Sequence, residues 1–193
     1  RRLGRDRSRR HQGDVSRAAK EAARAISAAP QSADAWALEG DVLAQKQQYD
    51  VALARYHRAL AYQANYPEVQ FAVAELYARQ GKHGRALATL SALSTQYAPD
   101  RIPQQLHIMR GRSCAALGRF DDASAELTLA VRAAPPTPEL LYELASALAA
   151  SGDKVAARMT AEQALSIQPA HNDSRRLLAQ LGGAPAETVP EYR

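Results

Sequence analysis

Apolar and small residues return along this chain at helical spacing, in short amphipathic segments that each follow a turn-forming residue. Ala18, Ala52, Ala86, Ala123 and Ala157 mark the same point in five such segments, at intervals of 34, 34, 37 and 34. Gly13, Gln47, Gly81, Gly118 and Gly152 precede the segments in one register, and Pro30, Ala64, Ala98, Pro135 and Pro169 follow them in another. A 34-residue period holding two helices per unit predicts stacked helical hairpins. Proline placement agrees, because all ten prolines fall in inter-unit loops, proposed first turns or the C-terminal tail. None interrupts a helix interior, where one costs about 3 kcal/mol.

The individual units carry a family resemblance. Residues 33–60, ADAWALEGDVLAQKQQYDVALARYHRAL, resemble a tetratricopeptide repeat (TPR) in Trp36, Gly40, Tyr49, Ala52, Tyr56 and Ala59. Ala74, Tyr77, Gly81, Ala86 and Leu90 carry the pattern in residues 67–98, and Gly111, Gly118, Phe120, Ala123, Leu127 and Ala130 carry it in 104–137. Leu144, Ala145, Leu148, Gly152, Ala157, Ala164 and Pro169 complete it in 138–171. Three features depart from the pattern: Glu39 in place of a usual Leu, His107 in place of a frequent Trp, and three extra residues in APDRIP, where a longer loop is expected.

The resemblance implies an all-α fold, a right-handed TPR superhelix of antiparallel helix pairs. Its parts are a half repeat at 13–32, full repeats at 33–66, 67–100, 104–137 and 138–171, and a capping helix at 172–181. Outside it, residues 1–12 read as a basic, unstructured arm and residues 182–193, GGAPAETVPEYR, as a loose tail.

Composition narrows the function classes. The 193 residues are 46% hydrophobic, enough for a cored protein, and no apolar run is long enough to span a bilayer. A single cysteine, Cys114, excludes an internal disulfide. The formal charge of +5 is confined to RRLGRDRSRRHQ at the N-terminus, while the other nineteen basic and nineteen acidic residues cancel. Nucleic acid is therefore disfavoured as a partner of the fold, and attraction to an anionic membrane is confined to the arm or to a segment upstream of it. The opening Arg in place of Met leads us to expect a fragment or processed form that has lost an upstream targeting segment, which leaves the compartment open between cytoplasmic and exported.

No constellation for catalysis stands out. His11, His57, His83, His107 and His171 lie in different units without metal-ligand spacing. His83 and His107 read as packing residues, His57 as solvated, Cys114 as a buried thiol, and Asp121 with Asp122 as first-turn acids that cap a helix. No phosphate loop, Ser-His-Asp set or dinucleotide fingerprint is present. The expectation is a non-enzymatic protein without cofactor or metal.

In the TPR family the first helix of each pair lines a concave groove that holds a peptide or helix, so the resemblance implies a scaffold or adaptor. Position by position, the groove residues it implies are Asp34, Ala37, Asp41 and Ala44, then Glu68, Phe71, Glu75 and Arg79. Gln105, Ile108, Arg112 and Ala115 follow, then Glu139, Tyr142, Ser146 and Ala149. Such a groove is acidic towards its N-terminal end and carries Phe71, Ile108 and Tyr142 as apolar anchors, which suits a basic peptide or protein with apolar side chains. A self-associating structural or envelope-assembly module and a membrane-tethered platform using the Arg-rich arm are the alternatives; the former admits a homo-oligomer.

Overall fold

A computed structural model describes the backbone of residues 2–182 and the side chains of residues 14–182. Ten helices and no strands occur among them: α1 (Arg2–Ala28), α2 (Ala33–Gln45), α3 (Tyr49–Tyr62), α4 (Pro67–Arg79), α5 (His83–Ser94), α6 (Gln104–Ala116), α7 (Phe120–Ala133), α8 (Pro138–Ser151), α9 (Lys154–Ile167) and α10 (Asn172–Gln180). The chain divides into two compact units at Leu93 and Ser94. Residues 95–103, which include APDRIP, form no helix.

Local sequence sets the helix ends. Ser32, Thr137 and Asp153 accept backbone N–H groups at the starts of α2, α8 and α9, and Pro67 and Pro138 occupy first-turn positions where their missing N–H costs nothing. The stops recur as well. Gln47, Gly81 and Gly118 have φ of 60°, 71° and 73°. Around them the next residue's N–H returns to a carbonyl five positions back, at 2.9 Å for Gln48 to Leu43, 2.8 Å for Lys82 to Tyr77 and 2.9 Å for Arg119 to Cys114. Glycine adopts that backbone freely, whereas Gln47 adopts it against its own Cβ.

In the first unit, Ala33, Ala37, Ala52, Leu53, Tyr56, Ala59, Val69, Val73 and Leu76 form one buried cluster drawn from α2, α3 and α4. In the second, Ala145, Ala161, Leu177 and Leu178 join α8, α9 and α10. The repeat alanines Ala52, Ala86, Ala123 and Ala157 are each 0% exposed. Opposite them the helices approach so closely that a Cβ built on Gly40 meets the Tyr56 ring at 2.5 Å, and one on Gly111 meets Leu127 at 2.7 Å.

Three expectations change. Residues 2–12 are not a separate arm, because α1 runs through Gly13 without a turn; Arg is a good helix former, and one interior Gly costs a helix only about 1 kcal/mol. Ala37 is buried at 7% exposure inside the first cluster and is unavailable to a ligand. Asp121 and Asp122 lie in the first turn of α7 but make no side-chain cap, and Asp122 instead pairs with Arg119 at 2.7 Å. The tail beyond Gly182 lies outside the described residues.

Two outcomes are expected in thermal or denaturant melts. Gly40→Ala, Gly111→Ala or Ala52→Leu overpacks the helix contact and lowers stability by ~1–3 kcal/mol, whereas Ala44→Leu, at a half-buried position, costs much less. Gln47→Gly raises stability, by up to about 1 kcal/mol, by relieving the left-handed backbone. The reverse ranking contradicts the packing described.

Candidate functional site

Each unit has a hollow lined largely by the first helices of its pairs. In the first unit it measures about 410 Å³ and is bordered by Asp41 and Ala44 of α2, Ala72, Glu75, Leu76 and Arg79 of α4, and Tyr49 and Tyr56 of α3. Asp41 accepts the Tyr56 hydroxyl at 2.7 Å, and Arg79 donates to Glu75 at 2.7 Å and 3.1 Å. Asp34 accepts the Tyr66 hydroxyl at 2.8 Å. Asp34 and Glu68 are exposed, and Phe71 is half-buried.

These contacts fix the protonation of two phenols. Burial, with the Asp41 carboxylate beside it, pushes Tyr56 far above the ordinary phenol range. The hydrogen bond to Asp34, with lesser help from burial, pushes Tyr66 up to about 12. Both shifts favour the neutral phenol in the fold. Asp41 and Glu75 border this hollow with Arg79, which is paired with Glu75 at 2.7 Å.

The hollow of the second unit, about 420 Å³, is more apolar, bordered by Arg112 and Ala115 of α6, Phe120 and Leu127 of α7, and Tyr142, Glu143, Ser146 and Ala147 of α8. Arg112 grips Glu143 with two parallel hydrogen bonds of 2.7 Å and 2.8 Å, joining α6 to α8. Tyr142 is half-buried, with its ring 5.8 Å from that of His171. Ile108 and Ala149 are half-buried; Gln105 and Glu139 are exposed. The Glu139 carboxyl is held below its ordinary range first by a backbone N–H at the start of α8 and then by Thr137.

The structure therefore gathers Asp41, Ala44, Glu75 and Arg79 around one hollow and Arg112, Ala115, Tyr142 and Ser146 around the other. Asp34, Glu68, Phe71, Gln105, Ile108 and Glu139 are not among the lining residues. Sequence reasoning missed Gln45, Gln47, Tyr49, Tyr56, Ala72 and Leu76 at the first hollow and Phe120, Leu127, Glu143 and Ala147 at the second. Glu143 was within reach, since it lies four residues after Glu139 and three before Ser146 on one helix face.

His107, His57 and Cys114 take the following places in the fold. His107 is buried, with Nδ1 2.8 Å from Glu126, whose other oxygen meets Arg110 at 2.8 Å. His57 is exposed, its Nε2 3.3 Å from the Tyr77 hydroxyl. Burial pushes the Cys114 thiol up and disfavours the thiolate. Among the described residues, no three His, Cys, Asp or Glu side chains are placed to hold a metal ion, and no helix is long and apolar enough to cross a membrane.

The model of the tetratricopeptide repeat family matches residues 7–50 and 108–181, and a second model, of the TPR repeat, matches residues 40–81. The chain belongs to the tetratricopeptide-repeat family. Solved TPR structures share its all-α solenoid fold. PilF of Pseudomonas aeruginosa aligns at TM-score 0.74 and 21% identity, over 89% of this chain and 77% of PilF. YrrB, a TPR protein with an unusual peptide-binding site, aligns at 0.73 and 18%, over 88% of this chain and 85% of YrrB. MamA from Desulfovibrio magneticus RS-1 aligns at 0.75 and 15%, over 89% and 96%. No curated protein matches the chain significantly in sequence. The TPR fold is that of a protein-interaction module, and such repeats generally act as scaffolds without catalysis.

The phenol shifts give a pH prediction. Because both pKa values are raised, the stability they contribute is complete below the unfolded value of about 10 and declines as pH rises above it, for Tyr66 through about 12. In a spectrophotometric titration of the eight tyrosines, the folded protein should hold at least two protonated at pH about 11, where the urea-unfolded chain has ionised nearly all. Full ionisation of all eight near pH 10 without unfolding contradicts the Asp41–Tyr56 and Asp34–Tyr66 contacts.

Proposed function

We propose that the first-helix faces of each TPR unit hold a segment of a partner protein, and that the chain acts as a non-catalytic adaptor. The observation that carries this reading is the convergence, around each hollow, of four residues on first helices that the family pattern assigns to ligand contact. The residues differ between units in a way that sorts the ligand. Asp34, Asp41, Glu68 and Glu75 suit Lys or Arg side chains, while Phe120, Leu127 and Tyr142 suit an apolar one. The peptide-binding site of YrrB, which shares this fold, is consistent with that use.

The favoured ligand is accordingly a basic segment at the first hollow and an apolar one at the second. Its energy should concentrate in a few desolvated side chains, because interface hot spots are large, apolar and central. Acidic residues at the rim should set partner choice and association rate, an effect screened by salt.

The test is selection of 12-residue peptides from a random library on the full chain. Selected peptides should be rich in Lys or Arg, binding more weakly as salt rises, or rich in apolar residues, as the first or the second hollow takes them. Ala44→Arg or Ser146→Arg, each inserting bulk into a hollow, should weaken binding at least about tenfold with little change in melting temperature. For a peptide held in the second hollow, a Phe120→Ala, Tyr142→Ala double variant should lose ~2 kcal/mol or more of binding energy. A helical double variant that binds the selected peptide as tightly as the wild type contradicts this reading and directs attention to other surfaces, such as exposed Val155 and Met159 on α9.

A further inference from the structure

Trp36 is the only tryptophan of the chain, and two arginines of α3 converge on it. Its indole N–H donates to the Pro30 carbonyl at 2.9 Å, which fixes the ring in the first turn of α2. The guanidinium carbons of Arg55 and Arg58 stand 5.6 Å and 5.8 Å from the centre of that ring. Arg58 also stands 5.2 Å from the centre of the Tyr62 ring. Three residues apart on one helix, the two arginines are neighbours on its surface, and Tyr62 continues the same face one turn further on. The electron-rich faces of both rings attract the guanidinium of Arg58 and restrict where its side chain goes.

The two arginines differ in what else they meet. Arg55 Nε lies 2.8 Å from Glu39, so one carboxylate answers it. Arg58 is exposed and has no carboxylate partner among the described residues. Arg79, Arg110, Arg112, Arg119 and Arg158, by contrast, are each paired with a carboxylate. Two guanidinium groups against one carboxylate leave a positive charge unanswered at the Trp36 ring. The rings engage that charge but supply no oxygen, so the N–H fork of Arg58 remains open to an oxyanion. Restraint by the rings also lowers the side-chain entropy that binding costs.

The number of donors indicates which oxyanion fits. A carboxylate has two oxygens and fills one fork, whereas a phosphate monoester has three, enough for the fork of Arg58 and an outer nitrogen of Arg55. We propose that Arg58, with Arg55 beside it on the Trp36 ring, binds the phosphate of a phosphorylated side chain on a partner protein. A protein source is favoured over a lipid because the fold is that of a protein-interaction module, and because Tyr62, 39% exposed, offers an aromatic surface to the peptide beside the phosphate. Trp36, Arg55, Arg58 and Tyr62 border neither hollow, so this site is independent of peptide binding there.

Trp36 itself reports on the site. The full chain is titrated with phenyl phosphate at pH 8, where the phosphate carries both charges, and tryptophan fluorescence is followed at constant ionic strength with benzoate as the carboxylate control. A saturable change is expected with phenyl phosphate, and binding at least about fivefold weaker with benzoate. Arg58→Lys, which keeps the charge but not the fork, should weaken phosphate binding about tenfold, and Arg58→Ala should abolish it, both with unchanged circular dichroism. No saturable change, equal binding of benzoate, or wild-type binding by Arg58→Lys overturns the proposal. The source is tested with acetyl-glycyl-phosphoseryl-glycine amide, its unphosphorylated form, and phosphatidylcholine vesicles with and without phosphatidate. The phosphopeptide alone of the two peptides should bind, and only while Arg58 is present. Equal behaviour of the two peptides, or Arg58-dependent binding to phosphatidate vesicles without binding of the phosphopeptide, overturns the assignment to a protein partner.

Discussion

The fold depends on how closely paired helices can approach. Gly40 and Gly111 leave no room for a methyl group beneath Tyr56 and Leu127, and the repeat alanines opposite are wholly excluded from solvent. A short interaxial distance brings larger neighbours into contact around the crossing, where dispersion and the removal of apolar area from water stabilise the pair. Within each unit the first helices then lie within side-chain reach of one another. In the second unit this arrangement lets Arg112 of α6 reach Glu143 of α8. The hollows follow from the same geometry, since they form where the side chains between first helices are too small or too polar to fill the space.

Charge is arranged locally. Arg79 is answered by Glu75, Arg112 by Glu143, Arg110 by Glu126 and Arg55 by Glu39, so many cations near the helix contacts are already paired. The exposed ones, such as Arg79 with Glu75, add little stability. They do set what a ligand meets, because a paired arginine offers a partner less than a free one. In the first unit Asp34 and Asp41 accept tyrosine hydroxyls. That contrast separates an acidic hollow from an apolar one within a single repeat architecture.

The fold was legible in the sequence because its determinants repeat. Five alanines in register, a turn residue before each and prolines outside every helix interior define helical hairpins without reference to tertiary contacts. The N-terminus was less legible. Gly13 shares the register of Gly81 and Gly118, yet α1 passes through it, because a glycine permits a left-handed turn without requiring one. Ala37 was misplaced for a related reason: a small residue on a first helix fits an open hollow and a tight contact equally well, and only the partner helix decides between them. Pair partners were the hardest to read. The bond from Arg112 to Glu143 spans 31 residues, and the cap from His171 to Ser174 turns on which ring nitrogen accepts.

The central claim is that the first-helix faces receive the partner. A backbone amide NMR titration of the isotopically labelled full chain with a selected 12-residue peptide tests it most directly. The account predicts shifts concentrated at Asp41, Ala44, Ala72 and Glu75, at Ala115, Tyr142 and Ser146, or at both groups, with Leu129, Val155 and Met159 unmoved. Shifts clustered at Leu129, Val155 and Met159, with the residues bordering the hollows unchanged, would contradict it.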